Sequence, residues 1–414
     1  MNMTTAQKRY RILYVLQPGG GGAATSLYDL ILGLDKSRYE PYVLFYKPDY
    51  YCDKFEAIGA KVLVLSQKYP LFERTLHYFY TEDIRKRYGK VIWKVYWLSH
   101  VIYLTSKVMA LFRQHHIDLI HNNDNLMMDR FTILAAKLAG IKQVCHMRSC
   151  GDLSSKFRQR MAESVNAFIY VSRYVEKYYL HEGIPLEKGQ VAYEGFDATP
   201  FQQVTQQQIT AIRQEFGVRD DEILISNLGR IVKCKGQDYF LEAIVRVVQQ
   251  QPNVKALVVG DYGYGYSEEE KNYPKRLKQI IADGNIEQNV VFAGFRADTV
   301  VIMSASDIVV HASSDPEPFG RVPIEGMLAG RPVVATAIGG PCETVDDHET
   351  GLLVPAKDAD AMADAILKLI QNPELARTMG QKARIQAQKR FSVKQHVQAV
   401  QDIYQLILSN KELG

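Results

Sequence analysis

Two glutamates, Glu317 and Glu325, lie eight residues apart in the segment S-S-D-P-E-P-F-G-R-V-P-I-E-G-M-L-A-G, which spans residues 313–330. The first lies in a Pro- and Gly-rich turn, and the second lies about two helical turns further on, on nearly the same face. The turn ends at Gly320, where a backbone without a side chain can approach a ligand closely. The helix that follows presents free N–H groups to an anion. Carboxylates beside such a helix start predict a ligand with both hydroxyl and phosphate groups.

Two cations, Arg230 and Lys235, lie five residues apart in N-L-G-R-I-V-K-C-K-G, residues 227–236. A guanidinium and an ammonium on one loop can together offset the negative charge of a diphosphate leaving group, which is a task that a metal ion often performs elsewhere. Lys233 competes with Lys235 for the second position. The alternative is a pair of solvated loop cations without a ligand.

A glycine-rich loop, P-G-G-G-G-A-A-T-S-L-Y-D-L, follows the first predicted strand and opens a helix. Its backbone N–H groups can turn toward a ligand, and the helix start adds to their field. The loop is not G-x-G-x-x-G, and no acidic residue ends the second predicted strand, which counts against NAD. A flexible turn without a ligand is the alternative.

Polar side chains also end two predicted strands of the first half. His146 ends one in V-C-H-M-R-S, and Asn123 and Asp124 follow another in H-N-N-D. The carboxyl ends of parallel strands are where open α/β sheets bind ligands. Since a single strand histidine is also common as a hydrogen-bonded core residue, both interpretations of His146 remain open.

Short apolar runs that alternate with helical stretches position all these residues, and they predict an α/β fold with parallel sheets. A polar helix at residues 205–216 separates two Rossmann-like halves, with the break near residues 195–205. Amphipathic helices are predicted at 359–370, 373–388 and 393–408. The predicted strands are 11–16, 42–46, 61–65, 117–121, 143–147, 167–171, 190–193, 222–227, 255–260, 289–293, 307–311, 332–335 and 351–354.

Length and composition agree with this division. A chain of 414 residues is too long for one compact core, so two domains of about 200 residues are expected. A net charge of +4 with 47% hydrophobic residues does not demand nucleic acid. The five cysteines include no C-x-x-C pair and the N-terminus has no signal-peptide pattern, so we expect a protein of the reducing cytosol.

The segment from about residue 66 to residue 116 does not fit a minimal Rossmann unit. It holds both tryptophans, Trp93 and Trp97, and nine Lys or Arg against three Asp or Glu. Charges inside its apolar stretch argue against a transmembrane span. Two interpretations remain open. One is a basic, aromatic insertion that docks on an anionic membrane or a lipid-linked acceptor, and the other is an ordinary packed helical hairpin.

The 313–330 segment and its continuation resemble the E-x7-E signature of the family-4 retaining glycosyltransferases of the GT-B fold. The likeness extends through E-P-F-G, G-M-L-A-G-R-P-V-V-A-T, G-G-P-C-E-T-V and T-G-L-L-V-P. It implies two Rossmann-like domains facing each other across a cleft. The domains expected are 1–196 for the acceptor, with a helical insertion at about 66–116, and 197–392 for the donor. A C-terminal helix in 393–414 is expected to cross back onto the N-terminal domain.

The resemblance also implies roles for the candidate residues. Glu325 would bind the ribose, Glu317 the donor sugar, and Arg230 with Lys235 the departing diphosphate. His146 would face the transferred sugar. The remaining expectations are Phe319, Gly320, Arg321 and Val322 at the sugar and phosphate, Gly21 and Gly22 at the phosphate, Phe295 and Arg296 at the base, and Asn123, Asp124 and Arg148 on the acceptor side.

The chain departs from the family pattern at two places. Ala24 and Thr25 stand where many members carry a polar or acidic residue, and Glu194 replaces the usual Asn of N-G-x-D. No role is therefore assigned to Glu194.

The function implied is retaining transfer of a hexose from a nucleotide diphosphate, by default UDP, to a glycan or lipid-linked acceptor in surface polysaccharide synthesis. No cofactor and no metal are expected. The enzyme would be cytoplasmic or at the inner face of the plasma membrane. Two alternatives stay open: an epimerase or phosphorylase on the same scaffold, and a non-catalytic subunit that binds nucleotide sugars.

Overall fold

The protein forms two compact units. A computed structural model describes residues 8–17, 21–65, 82–262 and 268–409, without the side chains of 82–97 and 268–270. The first unit consists of Met1–Val171, Val175–Ala192 and His396–Gly414. The second consists of Ser172–Tyr174 and Tyr193–Gln395. Each unit is built around its own parallel sheet.

The sheet of the first unit has seven parallel strands in the order β3-β2-β1-β4-β5-β6-β7. Its strands are β1 Tyr10–Leu16, β2 Tyr39–Phe45, β3 Lys61–Val64, β4 Leu119–Asn122, β5 Lys142–Met147, β6 Ala167–Tyr170 and β7 Gly189–Val191. Its helices are α1 Gly22–Leu32, α2 Tyr51–Ala57, α3 Glu82–His115, α4 Arg130–Ala139, α5 Lys156–Glu163 and α6 Arg173–His181, the last of which begins in residues of the second unit.

The sheet of the second unit has six parallel strands in the order β10-β9-β8-β11-β12-β13. Its strands are β8 Ile223–Leu228, β9 Val254–Val259, β10 Val290–Gly294, β11 Ile308–His311, β12 Val333–Thr336 and β13 Gly351–Val354. Its helices are α7 Thr199–Gln202, α8 Gln206–Glu215, α9 Gln237–Gln250, α10 Glu268–Asp283, α11 Thr299–Ala305, α12 Arg321–Leu328, α13 Pro341–Thr344, α14 Ala359–Gln371 and α15 Pro373–Arg390.

The predicted α/β fold with two Rossmann-like halves is confirmed. Each of the thirteen predicted strands is present, and its ends lie within three residues of the prediction. The central strands are buried along nearly their whole length, as in β4 and β12, where every residue is buried. Parallel strands covered on both faces produce the continuous apolar runs from which they were predicted.

Helix α3 occupies most of the segment that a minimal Rossmann unit does not explain. Val101, Leu104 and Val108 lie on its buried face and pack into the core of the first sheet. Leu98 and Ile102 lie outside this face and are 53% and 60% exposed. The predicted insertion thus includes a continuous helix with one docked face, while residues 66–81 lie outside the described residues. None of the described helices is long and apolar enough to cross a membrane.

The last helix, α16 Val393–Leu408, begins in the second unit and belongs to the first unit from His396 onward. Its buried side chains recur with helical spacing, at Val397, Val400, Tyr404 and Ile407. Tyr404 contacts Tyr39 of β2, so the last described helix packs against the first sheet.

Candidate active site

A cluster of polar side chains surrounds Glu317 in the loop after β11. The Glu317 carboxylate accepts hydrogen bonds from Nζ of Lys235 and, over 2.6 Å, from Oγ of Ser313. Nε2 of His311 lies 3.2 Å from the same carboxylate oxygen. Lys235 follows β8, which pairs with β11, so neighbouring strands bring the loops together. We call these four residues the Glu317 cluster.

Burial raises the free energy of the Glu317 carboxylate and opposes its ionisation. The charges and hydrogen bonds of His311 and Lys235 outweigh burial, and they hold the pKa of Glu317 well below its usual value. Glu317 is therefore a carboxylate at neutral pH. It can accept hydrogen bonds from hydroxyl groups but cannot serve as an acid.

Two glycines allow the loops around the Glu317 cluster to meet. Gly236, directly after Lys235, has φ +65°, and a Cβ there would lie 2.0 Å from the carbonyl oxygen of Ala312. Gly339 has φ +72°, and a Cβ there would lie 2.3 Å from the carbonyl oxygen of Glu317. Since both positions need a left-handed backbone and leave no room for a side chain, glycine is required at each.

A second ionic group lies at the start of α12. Arg321 contacts Glu194 over 2.8 Å and Glu325 over 3.3 Å through its two terminal nitrogens, and its guanidinium lies 4.3 Å from the ring centroid of Phe196. Burial raises the pKa of Glu325, the charge of Glu194 adds to this effect, and Arg321 partly offsets it. Helix α12 begins after Gly320, which has φ +86°, so the N–H groups of Arg321 and Val322 lie in its first turn.

The other candidates of the second unit differ in what they contact. Arg230 is exposed and forms no ion pair among the described residues. Arg296 pairs with Glu215 and Asp298, which raise its pKa. Phe295, directly after β10, is 77% exposed. The proposed contact of Arg296 with a base would therefore have to form beside two existing ion pairs.

Phe319 is buried in an aromatic group with Tyr193, Phe196 and Phe391, with ring centroids 5.9 to 6.3 Å apart. The ring anchors the loop between Glu317 and α12. Only its backbone is left to meet a ligand.

In the first unit, His146 lies at the end of β5 among other histidines. Its Nδ1 lies 3.3 Å from Nε2 of His121 at the end of β4, and its ring centroid lies 5.6 Å from that of His396. Burial, with a further contribution from the charge of Arg148, lowers the pKa of His146 and of His121 well below the usual value. Both rings are therefore neutral at neutral pH.

The three acceptor-side candidates hold the ends of β4 and β5 together. Arg148 is buried and donates to the side-chain oxygens of Asn123 and Ser26, over 3.0 and 2.9 Å. Asp124 accepts from Ser149, and burial raises its pKa. Gly21, with φ +76°, precedes α1, and Gly22 is its first residue.

Sequence reasoning missed His311, Ser313, His121 and the pairing of Glu194. His311 is the last residue of β11, and His121 is the penultimate residue of β4. The strand-end position that identified His146 would therefore also have identified both. Glu194 was left without a role because it departs from the family pattern, yet it pairs with Arg321. No local signal marks Ser313.

Among the described parts of the chain, no three His, Cys, Asp or Glu side chains are placed to hold a metal ion. The cations placed around the carboxylates are instead Lys235 and Arg321. The expected independence of metal remains a prediction.

Comparison with known proteins shows the family to which the chain belongs. Residues 208–386 match the model of "Glycosyl transferases group 1", and residues 20–199 match that of "Glycosyltransferase Family 4". A D-inositol 3-phosphate glycosyltransferase from Saccharomonospora viridis is 33% identical over 196 residues, which are 47% of this chain and 45% of that relative. The first curated relatives are thus matched over about half of their length.

Solved structures match over nearly the whole chain. HepE from Anabaena, crystallised with UDP and glucose, is 27% identical with a TM-score of 0.79, over 96% of this chain and all of that one. Sucrose-phosphate synthase from Thermosynechococcus elongatus, 20% identical with a TM-score of 0.73 over 97% of this chain and all of that one, shares the fold. Two family models that together span most of the sequence show that the chain belongs to the family-4 glycosyltransferases, with the GT-B fold.

Proposed function

We propose that the protein is a retaining, metal-independent glycosyltransferase that moves a hexose from a nucleotide diphosphate donor to an acceptor hydroxyl. One observation carries the proposal. The Glu317 cluster places a fixed carboxylate and an ammonium side by side at the carboxyl edge of a Rossmann-like sheet. A sugar with hydroxyl groups and a diphosphate with negative charge need these two partners.

In the proposed reaction, the bond between the anomeric carbon and the diphosphate oxygen breaks, and the diphosphate leaves with the electron pair. The acceptor oxygen bonds to the anomeric carbon from the same face, which retains the configuration. Its proton passes to an oxygen of the departing phosphate. Lys235 and Arg230 stabilise the growing negative charge, an effect that is larger in a dry site than in water.

The other residues position the donor in this proposal. Glu317 accepts hydrogen bonds from the sugar and Glu325 from the ribose, while the backbone of Gly320 and Val322 meets the phosphate and sugar. Lys235 and His311 hold Glu317 as a carboxylate that can accept hydrogen bonds from the sugar. Because the acceptor attacks directly from the same face in this reaction, Glu317 need not act as a nucleophile.

UDP is the favoured nucleotide. The complexes of HepE with UDP and glucose and with UDP-glucose support this choice, since HepE aligns with 96% and 95% of the chain in the two structures. Among curated relatives, an N-acetyl-alpha-D-glucosaminyl L-malate synthase and D-inositol 3-phosphate glycosyltransferases differ in their acceptors. The acceptor proposed here is a glycan or a lipid-linked glycan of surface polysaccharide synthesis, at the cytoplasmic side of the membrane.

The exposed side of α3 supports a peripheral contact with an anionic membrane. Leu98 and Ile102 lie on it, and residues 66–116 contain nine Lys or Arg but only three Asp or Glu. We expect the protein to co-sediment with liposomes that contain anionic lipid and to be released by salt. Replacing both residues by Ser should weaken this binding. If binding to liposomes does not depend on salt concentration or on the charge of the lipid, the proposed contact with an anionic membrane is contradicted.

A donor screen tests the enzymatic proposal. UDP, GDP, ADP and their sugars are added, and the melting temperature is measured, since a ligand that binds only the native state raises it. The favoured donor is then incubated with a panel of acceptors, with and without EDTA. Transfer that survives EDTA, with retained anomeric configuration by NMR, is the expected result.

The alternatives predict other outcomes of the same screen. An epimerase would convert the donor sugar without an acceptor, and a phosphorylase would require inorganic phosphate. A binding subunit would raise its melting temperature with the nucleotide and release no diphosphate from any donor. Any of these results would replace the transferase assignment.

A further inference from the structure

A row of hydrogen-bonding side chains leads from α16 to the end of β5 in the first unit. The hydroxyl oxygen of Tyr404 lies 2.6 Å from Nδ1 of His121, and Nε2 of His121 lies 3.3 Å from Nδ1 of His146. All three side chains are fully buried. We call them the buried imidazole chain. Because buried polar atoms are usually paired, each ring nitrogen needs a partner within the buried imidazole chain, in an ordered water or in a ligand.

Arg148 fixes the direction of these hydrogen bonds. Its Nη2 atom also lies 3.3 Å from Nδ1 of His146, and a guanidinium can only donate. Nδ1 of His146 therefore accepts and carries no proton. Burial and the charge of Arg148 keep the pKa of His146 well below its usual value, so the ring is neutral. Its single proton must lie on Nε2.

The same reasoning shows which ring nitrogen of His121 carries the proton. Since Nδ1 of His146 accepts, Nε2 of His121 must carry the proton that it donates. The ring of His121 is neutral as well, because burial and then the charge of Arg148 lower its pKa. Nδ1 of His121 is consequently a lone pair. It lies 2.6 Å from the Tyr404 hydroxyl, whereas the other acceptor in reach, the Tyr14 hydroxyl, lies 3.3 Å away, so Tyr404 donates its proton to His121. Every donor in the buried imidazole chain thus points from α16 toward β5.

The buried imidazole chain ends at a hydrogen-bond donor, the Nε2–H group of His146. Nε2 of His146 has no hydrogen-bond partner among the described side chains and backbone, although the ring is completely buried. His396, from the first turn of α16, packs beside the ring. A buried N–H is unfavourable when it stays unpaired, so it needs an oxygen atom of an ordered water or of a ligand as its acceptor.

We propose that Tyr404 and His121 are positioning residues that hold His146 in its Nε2–H tautomer, so that His146 donates a hydrogen bond to a substrate oxygen and does not take up a proton. The substrate class is a sugar with free hydroxyl groups, and only this identification rests on the proposed transferase function. Tyr404 lies 283 residues after His121 in the sequence, so the last helix completes the first unit's polar edge through the fold alone.

Nitrogen NMR on the full chain tests the tautomers directly. The chain has ten histidines. With ¹⁵N-labelled histidine, the signals of His121 and His146 are assigned from the variants H121Q and H146Q. At pH 7 we expect both rings to be neutral, with the proton on Nε2. A proton on Nδ1 of His146, or a doubly protonated ring, would overturn the proposal.

Two tyrosine variants test the coupling. Tyr404→Phe removes the donor to Nδ1 of His121, and the Nε2–H form of His121 and His146 should give way to a mixture of tautomers. Tyr14→Phe is the matched control, because the Tyr14 hydroxyl is also buried and contacts no imidazole nitrogen, and it offers the Tyr404 hydroxyl only a longer, 3.3 Å alternative acceptor. It should leave both tautomers unchanged. Unchanged His121 and His146 signals in Tyr404→Phe would contradict the proposal.

Kinetics provide the second readout. With the donor found in the screen, we expect kcat/KM to fall about fivefold to tenfold in Tyr404→Phe and to stay within about twofold in Tyr14→Phe. If no donor is turned over, the nitrogen signals still decide the tautomers, so failure of the proposed function and of this inference remain distinguishable. If Tyr404→Phe does not fold, the wild-type spectrum alone decides.

Discussion

The polar edges of the two sheets handle charge in opposite ways. In the second unit, the ammonium of Lys235 and the imidazole of His311 contact Glu317 and keep it ionised. In the first unit, burial and the charge of Arg148 keep His121 and His146 neutral. Both edges place a cation beside a buried titratable group, and the difference is the group itself, because a cation favours the charged form of a carboxylic acid and disfavours that of an imidazole. The comparison teaches that a strand-end position selects where a polar group lies, while the type of group and its neighbours select its protonation.

A division of tasks follows from this difference. A fixed carboxylate with its ammonium can exchange internal partners for a sugar and a diphosphate. A neutral imidazole with its acceptor nitrogen already occupied can only donate. The second unit is thus suited to stabilising charge, and the first to orienting an uncharged group.

The largest expected effect comes from Lys235→Ala. Loss of the ammonium removes one group that stabilises the diphosphate, so kcat/KM for sugar transfer should fall at least about 100-fold without unfolding of the chain. Circular dichroism and steady-state kinetics measure the two quantities.

Lys233→Ala is the matched control, because Lys233 is an exposed lysine two residues earlier in the same loop. It should keep nearly the wild-type rate. If Lys233→Ala loses activity and Lys235→Ala does not, the roles of the two lysines are exchanged and the Glu317 cluster is not the charge-stabilising site.

Glu325→Ala should lower turnover by a similar factor of about 100, because the ribose loses its carboxylate partner and Arg321 loses its ion pair with Glu325. Glu374→Ala removes an exposed glutamate of α15 and serves as the control. Near-wild-type rates in both Lys235→Ala and Glu325→Ala would remove the assignment of the second unit as the donor site.

The smallest expected effect is a pH dependence of stability caused by the first unit. Below the ordinary pKa of 6.5 the unfolded chain protonates His121 and His146, while the folded chain keeps them neutral. Their contribution to the free energy of unfolding is therefore complete above pH 6.5 and is lost as the pH falls, by up to about 1.4 kcal/mol per pH unit and group. Urea unfolding between pH 5 and 8 measures it.

Asp129 acts in the opposite direction in the same unit. Burial raises its pKa to about 8, so the folded chain holds a proton that the unfolded chain releases, and stability from this group is lost as the pH rises toward 8. The test therefore compares variants. As the pH falls, the free energy of unfolding should decrease less steeply in H146Q than in the wild type. In H348Q, whose side chain is exposed, it should decrease as steeply as in the wild type. Equal slopes in all three would show that His146 is not held neutral by the fold.

Much of the scaffold could be predicted because its signals are local. A buried parallel strand such as β12, V-V-A-T, needs apolar residues on both faces and so is apparent in the sequence itself. The proximity of Lys235 to the loop of Glu317 depends on the strand order, which the structure supplied: β8 and β11 are neighbours, and loops after neighbouring strands emerge at one edge.

The partners of the candidate residues could not be predicted. Arg148 was expected on the acceptor side, yet its guanidinium is engaged by Asn123, Ser26 and His146. Arg296 was expected at a base, yet it pairs with Glu215 and Asp298. These contacts depend on side-chain direction in a packed structure, which sequence spacing does not define.

By itself, then, the sequence determined the alternation of strands and helices, the glycines that permit close loops, and the types of group at the strand ends. The tertiary structure alone decided which of those groups are charged. Desolvation and Coulomb interactions depend on distances across the fold, and those distances join Glu317 to Lys235 and His121 to Tyr404. Residues far apart along the chain therefore set the protonation state of each strand-end side chain.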